Sequence, residues 1–228
     1  MTRILAIDSA CSSCSVAVLD DGKVQASAFE EMARGQAAHL VPMIEDVLTR
    51  AGFRAMDMDA FAVTIGPGAF TGIRIGLATA RGLGLASNVP VIGITTTEAI
   101  AAAARQGDEP ILAVVETKRA DIYAQYFSSA GSSAPVACPL DQLPGLVGEG
   151  AVKICGDGHQ RARPVLEAAG IECQICDMPG QPQAEWVARL AQGRIDAEGM
   201  AVFDHPPAPL YLRPPDVSPP KSGIPGRG

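Results

Sequence analysis

The order of predicted elements places this chain in the α/β class, with strands and helices layered in two lobes. Three observations carry that expectation. Residues 1–104 read as strand, hairpin, helix, strand, helix, strand, helix. A polar break, Q-G-D-E-P over 106–110, follows. Beyond it the chain starts again with two strand-like runs. The predicted division is 1–104 for an N-terminal lobe, 105–205 for a C-terminal lobe, and 206–228 for a proline-rich tail. That tail can return to the N-terminal lobe before its end, where the last dozen residues are expected to be disordered.

Arg3 to Ile7 reads as a buried strand and Ser15 to Leu19 as a second. Asp21-Gly22 is a two-residue hairpin signal that returns Lys23 to Phe29 as a third. Leu40, Met43, Ile44, Val47, Leu48 and Ala51 recur at helical spacing, and Gly52 ends that helix. Pro42 is expected near the helix start, where a missing N–H costs least. Ala60 to Ile65 is a strand running into Gly66-Pro67-Gly68, with a helix-length segment after it. Val89 to Ile94 is a short strand, and Thr95 caps a helix to Ala104 with Glu98 in capping-box spacing. In the second block, Ile111 to Val115 and Ile122 to Phe127 are strands, and Ser128 to Pro135 is a loose turn. Val152 to Cys155 leads through Gly156-Asp157-Gly158 into a helix reaching Ala169, followed by a strand over Ile171 to Cys176. A last helix, Ala184 to Ala191, carries the single Trp186, and Leu210 to Leu212 is the part of the tail expected to be ordered.

Composition narrows the function. At 228 residues with 47% apolar side chains the chain can bury a sizeable core, and with 4% aromatics that core is aliphatic. A net charge of −7 excludes an isolated nucleic-acid binder, which needs a basic footprint. No signal-peptide pattern or membrane-length apolar run occurs, so a cytoplasmic protein is expected. Cys11 and Cys14 form one C-x-x-C and Cys173 and Cys176 another, too far apart for a compact zinc ribbon. Free thiols are expected, with no disulfide and no metal.

Local chemistry is sparse. His39, His159 and His205 form no ligand pair, and neither a nucleophile elbow nor a Walker loop occurs. Asp8 ends the first strand before a loop containing Ser9, Ser12, Ser13 and Ser15. A carboxylate there can hold a magnesium–phosphate pair at one remove, or it can cap the loop's own amides, and generic turn chemistry favours the second. Gly66-Pro67-Gly68 and Gly156-Asp157-Gly158 both precede helices, whose first amides favour anions. Lys118 and Arg119 could meet an anion, although surface placement is expected. Asp8, Ser9, Ser12 and Arg119 are thus the weak cofactor-binding candidates, and no catalytic residue is identified.

The helix after Gly66-Pro67-Gly68 is unusual. Gly72, Gly76, Ala80 and Gly84 recur at steps of four and share one nearly bare face. Each glycine inside a helix costs about 1 kcal/mol relative to alanine, so Gly72, Gly76, Gly82 and Gly84 together cost roughly 3–4 kcal/mol. Close approach of another backbone would offset this, supplied by a second chain or by the protein's own sheet. Periodicity leaves both open. Arg74 and Arg81, seven residues apart, lie off that face and are expected to be solvated.

Six strings occur in order along nearly the whole chain: A-I-D-S-A-C-S-S-C-S-V-A-V (6–18), I-G-P-G-A-F-T-G-I-R-I-G-L-A-T-A-R-G-L (65–83), V-I-G-I-T-T-T-E-A-I (91–100), E-T-K-R-A-D-I-Y-A-Q-Y-F (116–127), G-D-G (156–158) and P-L-Y-L-R (209–213). Together they resemble the TsaB family, also called YeaZ. The resemblance implies an actin/Hsp70-like ATPase fold with two RNase H-like lobes. It implies a scaffold that docks to TsaD and supports its threonylcarbamoyl transfer to tRNA, in the synthesis of threonylcarbamoyladenosine next to the anticodon. A TsaE-like ATPase would reset the assembly, and tRNA would be met only through the complex. No cofactor is implied for the chain alone, although ATP or ADP can sit at the partner interface. TsaD carries N-H-x-x-G-H after the equivalent strand, where Thr96 and Ile100 stand here in the two histidine places. Ser9 and Ala10 also stand where the ATPase pattern has a glycine after the aspartate. The resemblance therefore implies a non-catalytic subunit. The alternatives are a small-molecule kinase or ATPase using Asp8, or a glycoprotease-like peptidase. The family pairs through first-lobe helices, with TsaD or with a second copy when alone, which makes Gly72, Ile73, Gly76, Leu77, Ala80 and Gly84 the expected interface.

Overall fold

The structure is a computed structural model that describes residues 2–178 and 180–213. Two mixed sheets organise it. The first contains β1 (Arg3–Asp8), β2 (Ser13–Asp20), β3 (Lys23–Glu31), β4 (Ala60–Thr64) and β5 (Val91–Ile94), in the order β3-β2-β1-β4-β5. β1 pairs antiparallel with β2 and parallel with β4, and the Asp21-Gly22 turn joins β2 to its antiparallel neighbour β3. Its helices are α1 (Gln36–Ala51), α2 (Phe70–Ser87) and α3 (Thr96–Ala104). The second sheet contains β6 (Ile111–Glu116), β7 (Asp121–Ser128), β8 (Gly131–Ser132), β9 (Val136–Pro139), β10 (Ala151–Cys155) and β11 (Glu172–Ile175). Its order is β11-β10-β6-β7-β8, and β9 also pairs with β7. α4 (Leu143–Val147) and α5 (His159–Ala168) flank it, and α6 (Ala184–Glu198) follows.

The alternation of strand side chains splits the first lobe's core into two layers. Leu5 and Ile7 face α1 and α2, packing with Val16, Leu40, Val47, Phe61, Ile73 and Leu77. Ile4 and Ala6 face the opposite side, with Ala17, Leu19, Ala62 and Ile92. Because both faces are covered, β1 and β4 read as unbroken apolar runs, whereas β3 at the edge is mostly exposed. The first layer continues through Ile100 and Ala104 of α3 to Ile111, Ala113 and Val115 of β6, so one apolar core joins the two sheets.

The second face of the first sheet is covered by α6, through Ala184, Val187, Ala188, Ala191 and Ile195. This corrects the expected boundary at 105–205, because α6 follows the second sheet in sequence but packs on the first. Small alanines on α6 meet Ala6, Ala17 and Ala62, and no local pattern reports that match. Arg194 holds the junction by donating to the Gly93 carbonyl at 2.5 Å and to Glu98 at 2.7 Å. Glu98 in turn completes the predicted capping box: the Thr95 amide donates to it at 2.9 Å, and its own amide donates to Thr95 Oγ1 at 3.2 Å.

Two smaller expectations change. α1 begins at Gln36, which puts Pro42 in its second turn rather than at its start. Pro42 is exposed there, so the carbonyl it leaves unpaired faces water. β8 lies within the stretch expected to be a loose turn, and β9 and α4 follow where no element was expected. β8 and β9 are short strands beside β7, with Pro135 ahead of β9 and Pro139 at its end, which suits a sheet margin. The last residues expected to be disordered lie outside the described residues.

Candidate functional site

Asp8 ends β1 and is fully buried. Its carboxylate accepts from Thr64 Oγ1 at 2.6 Å, from the Ala10 amide at 3.1 Å and from Ser13 Oγ at 3.4 Å. Burial pushes its pKa up to about 7 against those three donors. The carboxylate is thus consumed in holding its own loop. Ser9 is buried too, and its hydroxyl donates to the Gly72 carbonyl at 2.9 Å. The Ala10 carbonyl accepts from the Ala69 amide at 2.7 Å, at the mouth of α2. The loop after β1 is therefore seated directly on the first turn of α2.

That seating explains the glycines. A Cβ on Gly72 would lie 2.0 Å from the Ser9 carbonyl oxygen, and one on Gly68 would lie 2.2 Å from that of Ala10. A Cβ on Gly76 would meet Ser9 Oγ at 2.9 Å and Val63 at 3.3 Å. One on Gly84 would meet Val91 at 2.6 Å and the Val89 carbonyl at 3.1 Å. Gly72, Ile73, Gly76, Leu77, Ala80 and Gly84 are all buried by this chain's own loop and strands. The expected interface at these six residues is corrected accordingly: the bare face is internal, and its glycine cost is offset by close packing within the molecule. Four-residue spacing detects a close approach but not which backbone makes it.

The opposite face of α2 is exposed, although residues 206–213 run along it at Phe70, Arg74 and Arg81. Phe70 is 43% exposed and Leu85 86% exposed, with exposed Arg74, Ala78, Arg81 and Gly82 between them. Nothing lies within 4 Å of a Cβ built on Gly82. Val41 on α1 and Met56 after it add exposed apolar surface.

A cleft of about 490 Å³ lies between the lobes. Cys11, Ser12 and the start of α2 form one wall, and Glu116 to Arg119 with Tyr123 and Asp157 form the other. Of the candidates read from sequence, Ser12 and Arg119 reach the cleft, whereas Asp8 and Ser9 lie behind it. A polar relay crosses its floor. The Ser12 amide donates to Gln181 Oε1 at 3.0 Å, Gln181 Nε2 donates to Asp157 Oδ2 at 3.0 Å, and the Glu116 amide donates to Asp157 Oδ1 at 2.8 Å. Burial raises the Asp157 pKa above the ordinary carboxylate value. Arg161 neutralises Glu116 at 2.6 Å. Gly156 sits at φ +100°, and a Cβ there would lie 2.0 Å from the Val114 carbonyl, so the Gly156-Asp157-Gly158 turn is built on a close strand approach.

Residues 206–213 line the same cleft through Leu210, Tyr211, Leu212 and Arg213. Arg74 donates to the Tyr211 hydroxyl at 3.0 Å and Arg81 to the Pro207 carbonyl at 2.5 Å. Both arginines were expected to be merely solvated; each instead holds this segment. The sequence assigned no role to Gln181, Tyr123 or Tyr211; Tyr123 and Tyr211 lie within the strings at 116–127 and 209–213, and Gln181 lies in none.

The histidines stay apart in role. His39 lies 3.6 Å from Glu30, His159 Nδ1 lies 2.9 Å from the Gly156 carbonyl oxygen, and His205 lies 3.8 Å from Asp204. Thr96 and Ile100 are both buried in the fold. Among the described residues, no group of three His, Cys, Asp or Glu side chains could hold a metal ion. All six cysteines are free thiols. Cys11, Cys14, Cys138 and Cys155 are buried, and burial pushes Cys14 up to about 12. Alkylation of the native protein at neutral pH is expected to modify the half-buried Cys173 and Cys176 first. Peptide mapping of the alkylated protein reads the order, and first reaction at Cys14 would contradict it.

Two helix-flanked mixed sheets around a cleft, with a carboxylate-ended first strand in a hairpin lobe, define an actin/Hsp70-like ATPase-fold protein. The fold is shared with component A of the (R)-2-hydroxyglutaryl-CoA dehydratase of Acidaminococcus fermentans, at TM-score 0.54 and 13% identity over 86% of this chain and all of that one. The YeaZ structure from Pseudomonas aeruginosa matches at TM-score 0.76 and 26% identity, over 93% of this chain and all of that one. A family profile described as TsaD, tRNA N6-adenosine threonylcarbamoyltransferase, matches residues 29–143. The Escherichia coli (strain K12) tRNA threonylcarbamoyladenosine biosynthesis protein TsaB is 41% identical over 127 residues, 54% of each chain. The chain thus spans about half the length of that curated relative in the matched region. An uncharacterised protein of Mycobacterium tuberculosis (strain H37Rv) is 30% identical over 225 residues, 96% of this chain and 95% of that one. The chain belongs to the TsaD-related family, on its TsaB (YeaZ) branch. No helix among the described residues is long and apolar enough to cross a membrane.

Proposed function

We propose that this chain is the docking subunit of a threonylcarbamoyladenosine-forming tRNA modification assembly in the cytoplasm. It pairs with a TsaD-like transferase through the outer face of α2 and neighbouring α1, and performs no bond-making step itself. The observation that carries this reading is the open face from Phe70 to Leu85, apolar at both ends and lined by Ala78 and Gly82 between. Small residues there admit a second helix at short range, and exposed apolar surface of this kind marks an interaction site. The same face would join two copies when the transferase is absent. A TsaE-like ATPase, ATP or ADP, and tRNA are met at the assembled complex.

Two features support the non-catalytic part. Asp8 is spent on its own loop, and the Ala10 carbonyl occupies the Ala69 amide at the mouth of α2. A phosphate approaching that helix end meets the Ala10 carbonyl where it holds the Ala69 amide. In addition, Thr96 and Ile100, in the places of the transferase's histidines, bring no imidazole and are inside the core. The isolated chain is expected to show no ATP turnover.

Gly82→Arg tests the docking face. The site is open, so the fold and its melting temperature should be unchanged. Pairing with the TsaD-like partner, followed by light scattering and titration calorimetry, should weaken at least tenfold, about 1.4 kcal/mol. Unchanged affinity would rule the face out. Gly76→Leu cannot serve, because its side chain would strike Ser9 and Val63 and disturb the fold itself.

A further inference from the structure

Residues 206–213 run from one lobe to the other. In the first lobe, the Leu210 amide donates to the Ile65 carbonyl at 2.8 Å, and Arg81 holds the Pro207 carbonyl. Two glycines make room for the segment: a Cβ on Gly93 would lie 2.7 Å from Pro207, and one on Gly66 would lie 2.8 Å from the Leu210 carbonyl oxygen. The Tyr211 ring then stacks 5.2 Å from Phe70, and Arg74 lies 3.8 Å above the Phe70 ring while donating to the Tyr211 hydroxyl. Two residues on, Arg213 reaches the second lobe. It forms an ion pair with Asp121 at the start of β7 and sits 5.4 Å over the Tyr123 ring. All of this lies at the margin of the cleft whose floor is pinned by Ser12, Gln181 and Asp157.

We propose that residues 206–213 are a clasp that sets the width of the interlobe cleft. The floor relay acts as the hinge, and the Arg213–Asp121 ion pair acts as the closing contact. The first-lobe anchors are several and parallel: a backbone hydrogen bond, tilted rings, glycine-spaced contacts and the bonds from Arg74 and Arg81 to neutral oxygens. The second-lobe anchor is an ion pair, so it is the link that a charge change on either partner opens. Releasing it leaves the Asp121 carboxylate to Thr117 Oγ1, 3.1 Å away, and loosens the adjoining turn of Lys118 and Arg119, while the first-lobe anchors keep the segment on α2. The clasp shares Phe70, Arg74 and Arg81 with the proposed docking face, but it concerns the isolated chain and is tested without a partner.

Hydrogen exchange followed by mass spectrometry on the full chain tests it. Arg213→Glu places like charges together. Exchange over 116–123 should rise on the order of tenfold, whereas the Leu210 amide, held by Ile65, should stay protected. Exchange over 184–198, on the far face of the first sheet, should stay as in the wild type. The charge swap, Arg213→Glu with Asp121→Arg, should restore protection at 116–123. If Arg213→Glu does not fold, Arg213→Gln carries the same comparison without repulsion. Unchanged exchange over 116–123, or a rise that spreads equally to 184–198 and is not restored by the swap, overturns the clasp.

Discussion

Gly72→Ala is expected to destabilise the protein by about 3 kcal/mol or more, although it adds a single methyl to a helix. Alanine is the better helix former by about 1 kcal/mol, so propensity alone predicts the opposite sign. The methyl would lie 2.0 Å from the Ser9 carbonyl oxygen, and the obstacle is backbone. To make room, the loop after β1 must leave α2, breaking the Ser9 hydroxyl bond to the Gly72 carbonyl and the Ala69 amide bond to the Ala10 carbonyl. Gly82→Ala, in the same helix, is the internal control. Its Cβ meets nothing within 4 Å, so it should stabilise by about 0.5–1 kcal/mol. Urea unfolding of both variants beside the wild type gives the two signs. A Gly72→Ala variant within about 0.5 kcal/mol of wild type would contradict the packing described for the stripe.

The second large effect is the pH dependence contributed by Asp8. Its pKa is 3.8 when unperturbed and about 7 in the fold. The folded chain therefore holds this proton more tightly than the unfolded chain between those values. Stability is greatest at the acid end of that window, falls as pH rises from about 4 to about 7, and is flat in this group's contribution above it. At 1.36 kcal/mol per pKa unit, the full loss is on the order of 4 kcal/mol. Asp8→Asn should remove it. The amide oxygen can still accept from Thr64 and Ala10, and the amide nitrogen can donate to Ser13 Oγ. The variant is expected to gain on the wild type as pH rises from 4 to 8, by a few kcal/mol at the upper end. Asp157, also raised by burial, contributes the same sign to both proteins and cancels in the difference. Parallel stability–pH curves for the two would show that Asp8 does not titrate in this window.

Most individual elements were legible locally. The Asp21-Gly22 hairpin and the Thr95–Glu98 capping box act between residues two or three apart, and each stands where its pattern placed it. Asp8 as a loop cap was also legible, since an Asp ahead of a serine-rich turn meets its own amide two residues on. Other features were not. Arg74 and Arg81 read as solvated because their partners, Tyr211 and Pro207, come from more than a hundred residues away. Gln181 carries no signal as a lone glutamine between Gly180 and Pro182, yet it joins both walls of the cleft.

The amino-acid order alone determined most of the strands and helices, the division into two strand-first blocks, and the family. These rest on periodicity, turn chemistry and strings of residues, all read among near neighbours along the chain. Only the tertiary structure decided that the glycine stripe faces inward, that α6 crosses back to the first sheet, and that the final described residues bridge the lobes. In each case the deciding contact is between surfaces far apart in sequence. A bare helix face, an alanine-lined helix and a proline-rich segment say that something packs closely, and the folded chain alone supplies what it is.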